Sequence, residues 1–218
     1  RSATPPSCFN NRSSWCSFLE CQKAKQLEPT YAVPSCIRHT MSLTAARTWW
    51  LTGLSGAGKS TLARSLATAL RGRQQPVCVI DGDELRAGLC QDLGFDTASR
   101  AENVRRAAHM ARLLNDNGVH AVVALISPDT DARALAYTTI GRGRCVEVHV
   151  NTPLAVCEQR DPKGLYARAR AAQLAQMTGV QAPYEPPEQP ALRIDTSVTA
   201  LPLAVDQMLA CQPAPFCP

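Results

Sequence analysis

The stretch GLSGAGKST at residues 53–61 has the residue types and spacing that most directly indicate chemistry. It contains the pattern G-x-x-x-x-G-K-[ST], in which glycines let backbone N–H groups approach phosphates while a lysine neutralises their charge. An apolar run precedes it and a helical pattern follows, so a chance match in a glycine-rich turn is disfavoured. Lys59 is expected at the β- and γ-phosphates and the Ser60 hydroxyl on Mg²⁺. The predicted phosphate loop comprises Gly53, Leu54, Ser55, Gly56, Ala57, Gly58, Lys59, Ser60 and Thr61.

Two carboxylates follow the next apolar run, VCVI at 77–80. Asp81 would lie at a strand end close to the phosphates, where it can hold Mg²⁺ directly or through water. Asp83 lies two residues on, where a carboxylate can orient an alcohol acceptor and take its proton. The alternative is that both acids only cap the following helix. Together with a phosphate loop, their spacing favours the functional interpretation.

A third cluster lies within LGFDTASRAENVRR at 93–106. Arg100 and Asn103 are three residues apart and share a helix face, and Phe95 stands in the preceding loop. An aromatic ring, a guanidinium fork and an amide suit an anionic nucleotide, which offers a flat base and charged oxygens. From the residue types alone, an ordinary surface helix with basic side chains is an equal alternative.

The segment CEQRDPKGLYARAR at 157–170 is dense in arginine and lysine and contains Gly164. Basic side chains on a mobile segment suit a lid that closes over phosphates and excludes water. A solvated basic helix is the alternative. The proline-rich stretch at 183–190 reads as an irregular connection.

Alternating apolar runs and helical periodicities predict a parallel sheet that is covered by helices on both faces. Thr152 and Pro153 resemble an N-cap followed by proline at the first helical position. In such sheets ligands bind beyond the carboxyl ends of the strands, where nearly all these motifs fall. Strands are predicted at 48–52, 77–80, 119–126, 145–150 and 192–195, and helices from about 60 to 72, 100 to 116, 153 to 160 and 201 to 210.

Composition narrows the class of protein. The chain has 218 residues, and 45% of them are hydrophobic, which suffices for one α/β domain with a sizeable core. Its net charge is +5. Residues 1–40 hold five Lys or Arg and two Asp or Glu, so the remainder is nearly neutral and nucleic-acid binding is poorly supported. The ten cysteines form no C-x-x-C pair, which disfavours a zinc site, and Cys78, Cys145 and Cys157 are expected to be thiols. No stretch approaches the length of a membrane span.

The first 40 residues lack periodicity and are rich in Ser, Pro and Cys. We expect 1–46 to be a disordered or extraneous extension, 47–210 to be the folded domain and 211–218 to be a flexible tail. The extension is either an organelle transit peptide or a translated leader before Met41. We accordingly expect the protein to be cytoplasmic, or plastid-located if the transit peptide is genuine.

Taken in order, these motifs resemble those of the adenylylsulfate kinase (APS kinase) family. The matching stretches are GLSGAGKST, DGDELR, LGF, RAENVRR, ISP, CEQRDPKGLYARAR and TGVQAPYEPP, spread over about residues 47–210. Many families share the phosphate loop, whereas DPKGLY after CEQR together with LGF and RAENVRR is far more specific. The resemblance implies a P-loop NTPase-like fold with a mobile lid. It also implies phosphate transfer from ATP to the 3′-hydroxyl of adenosine 5′-phosphosulfate.

By the same resemblance, Asp83 would be the base or orienting group and Asp81 would serve Mg²⁺. Arg160 would lie near the ATP adenine, and Ser127 matches a serine described in the family as a phosphoenzyme intermediate. Since in-line transfer needs no covalent step, we expect Ser127 to hydrogen-bond the substrate. The adenylylsulfate would be bound by Asp83, Arg86, Phe95, Arg100, Asn103, Ile126, Ser127, Met177 and Lys163, the last from the lid.

The chain departs from the family pattern at Glu84, where Asn is usual, and at Leu125, where Phe is usual. Met177 replaces a second aromatic that would sandwich the adenine. The alternatives are another P-loop small-molecule kinase or an inactive regulatory homologue; the GTPase class is disfavoured because the N-K-x-D motif is absent. The expected partners are adenosine 5′-phosphosulfate, an ATP sulfurylase upstream and a second copy of the chain in a homodimer.

Overall fold

Five parallel strands form the centre of the protein. The structure, a computed structural model, describes residues 46–174 and 176–211. The strands pair in the order β2-β3-β1-β4-β5, and every pairing is parallel. The predicted fold class is therefore confirmed. The strands are β1 (Thr48–Thr52), β2 (Val77–Asp81), β3 (His120–Ala124), β4 (Cys145–Val150) and β5 (Leu192–Ile194).

Within the described ranges, seven α-helices connect and cover these strands. The predicted first and last helices are confirmed with nearly the predicted bounds. The predicted long helix begins earlier than expected, at Thr97, because the Asp96 side chain accepts a hydrogen bond from the Ser99 backbone (2.9 Å) and caps it. The helices are α1 (Lys59–Gly72), α2 (Gly82–Ala87), α3 (Thr97–Asp116), α4 (Thr130–Ile140), α5 (Leu154–Arg160), α6 (Leu165–Arg170) and α7 (Leu201–Ala210).

The two faces of the sheet bury separate apolar cores. Side chains alternate along β1, so Trp49 and Leu51 pack on one face and Trp50 on the other. The first core joins the sheet to α1 and α7, whose residues Leu66 and Met208 are fully buried. The second core joins it to α3 and α4. Burial on both faces explains why the strands read as continuous apolar runs.

Two local predictions are wrong. Thr152 is not the N-cap of α5, because its hydroxyl donates to the hydroxyl of Thr196 (2.9 Å), which itself donates to the carbonyl of Ala57 (2.8 Å). A tertiary contact thus takes the side chain that a cap would need, and the helix begins one residue after Pro153. The third strand also ends at Ala124 rather than 126, because the chain turns at Ser127, whose φ is +44°.

Three helices of the structure, α2, α4 and α6, were not predicted. Two of them are only six residues long, and α4 has a weak apolar pattern whose start is marked by Asp129, which accepts from the backbone of Ala132 (2.8 Å). None of the helices in the described ranges is long and apolar enough to cross a membrane. Cys145 and Cys157 are buried thiols and Cys78 is half-buried. Most of the predicted N-terminal extension, 1–45, and most of the C-terminal tail, 212–218, lie outside the described residues.

Candidate active site

The phosphate loop joins β1 to α1 and packs closely against the backbone at Val150 and Cys157. A Cβ atom at Gly53 would lie 2.4 Å from the carbonyl oxygen of Val150, and one at Gly56 would lie 2.8 Å from that of Cys157. Both glycines also have positive φ angles, +145° and +75°. Any other residue at either position would be strained and would clash with backbone. The close packing of the loop therefore requires the glycines of the sequence pattern.

Lys59 lies buried beneath this loop. Its ammonium group donates to the carbonyl oxygens of Gly53 (2.9 Å) and Leu54 (2.7 Å). The pKa of Lys59 is lowered to about 8, chiefly by burial and in part by the nearby charge of Lys163, whereas Cys157, Asp81 and Asp83 oppose the shift. A buried ammonium is costly unless it meets negative charge. The loop therefore holds a cation that bound phosphate would stabilise.

Asp81 ends β2 and Ser60 lies in the first turn of α1, and these are the two predicted Mg²⁺ ligands. The Oδ1 atom of Asp81 accepts from the backbone N–H of Asp83 (3.0 Å), which caps α2. Its Oδ2 atom is buried and has no hydrogen-bond partner in the described part of the chain. Carboxylate and hydroxyl oxygens are ligands that Mg²⁺ accepts, usually together with substrate phosphates. The residues present therefore fit the metal, and Asp81 also has the capping role that was its alternative.

Asp83 and Lys163 meet although 80 residues separate them in sequence. Asp83 lies in the first turn of α2, and the Lys163 ammonium forms an ion pair with its Oδ2 atom. Lys163 belongs to the link between α5 and α6, the predicted lid. The structure thus brings the candidate base and the predicted lid residue into contact. Both side chains remain substantially exposed.

The loop before α3 is held by two arginines. The guanidinium of Arg86 lies 4.3 Å from the ring centre of Phe95 and donates to the carbonyl of Gly94 (2.9 Å). Arg100 donates to the carbonyl of Phe95 (2.6 Å) from the other side. The Phe95 ring itself is 60% exposed. The arginines therefore fix the backbone of this loop and leave the aromatic ring available to a ligand.

Arg100 also connects this loop to the segment that follows α6. Its guanidinium donates to the carbonyl of Gln176 and to the hydroxyl of Thr178. Burial lowers the pKa of Arg100, as does the nearby charge of Arg86. Asn103 follows one turn later, buried, with an Oδ1 atom that has no partner among the described residues. Met177 is 6% exposed and lies between the two contacts of Arg100.

The turn at Ile126 and Ser127, which contains two of the predicted acceptor-binding residues and is called the acceptor turn below, lies beside the phosphate loop. The carbonyl of Ile126 accepts from the Thr52 hydroxyl (2.7 Å) and from the backbone N–H of Gly53 (3.4 Å), the first residue of the phosphate loop. The Ser127 hydroxyl is buried and accepts from Trp50 Nε1 (3.2 Å). The acceptor turn is thereby anchored on β1 itself.

Thr196 and Tyr166 also contribute to the site, and both were missed by sequence reasoning. Arg160 donates to the Thr196 hydroxyl (2.7 Å), and that hydroxyl donates to the phosphate-loop carbonyl of Ala57 (2.8 Å). The Tyr166 hydroxyl donates to the carbonyl of Ser55 (3.0 Å). Arg160 and Thr196 lie 36 residues apart in sequence, Ser55 and Tyr166 lie 111 apart, and Ala57 and Thr196 lie 139 apart, so no local pattern indicates these contacts. The tyrosine of DPKGLY was the one visible signal.

A single cavity of about 820 Å³ joins these groups. Three phosphate-loop residues do not line it: Gly53 and Leu54 lie behind Lys59, and Ala57 is fully buried. The other predicted site residues do line it: Ser55, Gly56, Gly58, Lys59, Ser60, Thr61, Asp81, Asp83, Arg86, Phe95, Arg100, Asn103, Ile126, Ser127, Arg160, Lys163 and Met177.

A parallel sheet of this order, a glycine-rich loop between β1 and α1, and a cavity beside it that contains charged and polar side chains define a P-loop kinase that acts on a small molecule. The family model described as "Adenylylsulphate kinase" matches residues 45–195. The chain belongs to the adenylylsulfate kinase family, as the sequence motifs indicated.

Individual relatives agree with this assignment. The chain is 48% identical over 160 residues to an adenylyl-sulfate kinase of Aeromonas hydrophila subsp. hydrophila, covering 73% of this chain and 81% of the relative. It is similar to the APS kinase CysC of Mycobacterium tuberculosis, solved in complex with AMPPNP and APS, with 42% identity, a TM-score of 0.73 and coverage of 76% and 96%. A hexameric APS kinase from Thiobacillus denitrificans is 36% identical with a TM-score of 0.57, covering 75% of this chain and 28% of that one.

Proposed function

We propose that this kinase transfers the γ-phosphate of ATP to the 3′-hydroxyl of adenosine 5′-phosphosulfate, giving ADP and 3′-phosphoadenosine 5′-phosphosulfate. The observation that carries the proposal is the shared cavity, which is lined by the phosphate loop and by the predicted acceptor residues. Two of its lining residues, Asp81 and Asn103, carry buried oxygens (Oδ2 and Oδ1) that have no hydrogen-bond partner among the described residues. Buried polar atoms are normally satisfied, so both fit a polar ligand or metal.

The nucleotide half binds and orients ATP. Backbone N–H groups of the loop and the N-terminus of α1 face the phosphates, and Lys59 supplies positive charge. Asp81 and Ser60 would hold Mg²⁺, which when bound neutralises charge on the phosphate oxygens. Arg160, which donates to the Thr196 hydroxyl, would contact the adenine of ATP.

The acceptor half presents the ribose hydroxyl. Phe95 offers a stacking face for the adenine, with Met177 as its proposed counterpart, and arginine guanidinium groups bind anionic oxygens. The Ser127 hydroxyl accepts from Trp50, so its own proton is left to donate to the substrate. That arrangement supports a binding role for Ser127 rather than a phosphoenzyme. Arg86, Arg100, Asn103 and Ile126 complete the proposed acceptor site.

Transfer then needs one proton acceptor. As the ribose 3′-oxygen forms its bond to the γ-phosphorus, the bond from that phosphorus to the bridging oxygen breaks, and ADP leaves with the electron pair. The hydroxyl proton passes to the Asp83 carboxylate. Lys163, which contacts Asp83, brings a positive charge to the transferring group and closes the lid against water.

Product analysis tests the proposal. The purified chain is incubated with Mg²⁺, γ-labelled ATP and adenosine 5′-phosphosulfate, and the labelled products are separated by chromatography. We expect label in 3′-phosphoadenosine 5′-phosphosulfate. Label only in a phosphorylated sugar acid, nucleoside monophosphate or shikimate would assign another P-loop kinase. No turnover with any acceptor, by a folded chain that binds ATP, would assign an inactive regulatory homologue.

Two partners remain predictions under this proposal. An enzyme that adenylylates sulfate, an ATP sulfurylase, must supply the substrate. A relative described as hexameric supports self-association. For this chain the expected state is a homodimer. Light scattering of the purified protein measures it directly.

A further inference from the structure

A fully buried arginine, Arg133, lies directly behind the acceptor turn. It is 1% exposed and projects from α4. Its Nη1 atom donates to the carbonyl of Ser127 (2.7 Å) and its Nη2 atom donates to the hydroxyl of Thr130 (3.1 Å). Its Nε atom forms an ion pair with Glu147 on β4 (3.4 Å). Lysine and arginine are almost never fully buried unless paired, so this placement calls for a specific role.

The backbone that Arg133 contacts is strained. Ser127 has a φ of +44°, a left-handed conformation that side-chain-bearing residues disfavour. Such a conformation persists only where its surroundings fix it. Arg133 holds the Ser127 carbonyl and Trp50 holds its hydroxyl (3.2 Å). Trp50 on β1 and Glu147 on β4 are register partners. Trp50 supports Ser127 directly, and Glu147 supports it through Arg133. Both supports therefore originate at the centre of the sheet.

We propose that Arg133 is a positioning residue for acceptor binding: through the Ser127 carbonyl it holds the strained turn that aims the Ser127 hydroxyl into the cavity. The inference rests on the proposed function of that cavity. Arg133 does not line the cavity, so it acts through Ser127 rather than on substrate.

The shape of the arginine side chain explains why this residue type is used. The planar guanidinium presents its donors as a rigid fork, and here one fork reaches a carbonyl, a hydroxyl and a carboxylate at once. A lysine ammonium is a point charge that would satisfy Glu147 or the Ser127 carbonyl without fixing their relative position. Burial raises the pKa of Glu147, whereas Tyr137 and Arg133 oppose the rise.

The competing explanation is that Arg133 only neutralises Glu147. Three variants separate the two roles: Glu147→Gln, Arg133→Lys, and the double variant Arg133→Met with Glu147→Gln. The double variant removes both charges, so it avoids leaving one buried charge unpaired, which is the change most damaging to folding. Michaelis constants for adenosine 5′-phosphosulfate and for ATP are measured for each, beside thermal unfolding.

For the double variant we expect kcat/KM for adenosine 5′-phosphosulfate to fall by about tenfold or more, the scale of one lost hydrogen bond to a charged group. The KM for ATP should stay within about twofold of wild type, since the phosphate loop makes no contact with Arg133. Glu147→Gln should stay within about threefold in both constants, because the Ser127 contact remains. If the double variant does not fold, Arg133→Lys keeps the charge opposite Glu147, and the same selective loss is expected.

Two results would overturn the inference. Wild-type constants in a folded double variant, or in Arg133→Lys, would show that Arg133 serves Glu147 alone. Equal losses in Glu147→Gln and in the Arg133 variants would show the same. A wild-type chain that phosphorylates other acceptors but never adenosine 5′-phosphosulfate would instead overturn the proposed function, and the inference with it.

Discussion

The nucleotide half and the acceptor half of the cavity are built in different ways. The nucleotide half is one continuous stretch, 53–61, set between one strand and one helix, with its lysine bonded to its own loop carbonyls. The acceptor half is assembled from residues near 83–86, 95–103, 126–127 and 163–177. Its members are joined by long-range contacts such as that between Asp83 and Lys163.

This difference shows what each half can tolerate. A continuous loop supplies all its phosphate-binding groups from one stretch of backbone, although Tyr166 and Thr196 also support it through the carbonyls of Ser55 and Ala57. A pocket drawn from separate segments depends on every connection that brings them together, and the arginines at 86, 100 and 133 supply many of those connections. Substitutions in the acceptor half should therefore alter acceptor constants selectively, whereas those in the nucleotide half should alter ATP or Mg²⁺ constants.

The largest expected effect is at Asp83, where the halves meet. Asp83→Asn should lower kcat by about 10² to 10⁴, the usual contribution of a positioned base, with ATP–Mg²⁺ binding nearly unchanged. Steady-state kinetics and nucleotide titration measure both. Glu84→Gln is the matched control, since it removes the neighbouring exposed charge and should leave kcat near wild type. Full turnover by Asp83→Asn would remove the role given to this residue while leaving the kinase assignment intact.

A second effect should fall on the nucleotide half alone. Asp81→Asn should raise the Mg²⁺ concentration for half-maximal rate by about tenfold or more, because a neutral amide is a weaker ligand than a carboxylate. Asparagine caps helices as well as aspartate does, so α2 should keep its start and the protein its stability. Turnover measured against Mg²⁺ concentration checks this. An unchanged Mg²⁺ requirement would mean that Asp81 is a cap only.

These two residues also show how far sequence reasoning reaches. The order of strands and helices, the phosphate loop and the acids after β2 follow from periodicity and spacing, which are local properties. Thr196 and Tyr166 were missed because their contacts join positions far apart in sequence. Arg133 contacts residues within 14 positions of itself, but no motif marks it and its full burial follows from the tertiary packing of α4. Thr152 was misread because a tertiary hydrogen bond competes with capping. For Arg100 and Asn103 on α3, the residue types alone left an ordinary surface helix as an equal alternative. Only the family resemblance predicted a role for them in binding the acceptor.

The third expected effect is a pH dependence of nucleotide binding. Burial places the pKa of Lys59 at about 8 in the protein without nucleotide, and bound phosphates would raise it, since they favour the charged form. Below about pH 8 the lysine is protonated with or without nucleotide, so affinity should be flat. As pH rises above 8, binding must take up a proton, and ADP affinity should fall by up to about tenfold per pH unit.

Titration of ADP from pH 7 to 9.5 measures this dependence, and calorimetry in two buffers of different ionisation enthalpy detects the proton uptake. Lys59→Met should bind ADP weakly and lose the dependence. An identical decline in that variant would assign the titration to another group. Flat affinity in the wild type would show that Lys59 remains charged throughout this range.

The smallest expected effect tests the acceptor half at Met177. A methionine can lie against an adenine through its polarisable sulfur, but it lacks the flat face of an aromatic ring. Met177 lines the cavity and is 6% exposed, so an aromatic side chain there has to extend toward the cavity. Met177→Phe should therefore lower the KM for adenosine 5′-phosphosulfate by about fivefold, which corresponds to roughly 1 kcal/mol of stacking.

The KM for ATP should not change in Met177→Phe, because Arg160 and the phosphate loop lie on the other half of the cavity. Met177→Leu, which nearly conserves volume, is the control for packing and should leave the constant for adenosine 5′-phosphosulfate within about twofold. A raised constant in Met177→Phe with normal thermal unfolding would place the adenine elsewhere. Equal changes in both substrate constants would mean that the two halves are coupled through the segment held by Arg100, and the division between them would then need revision.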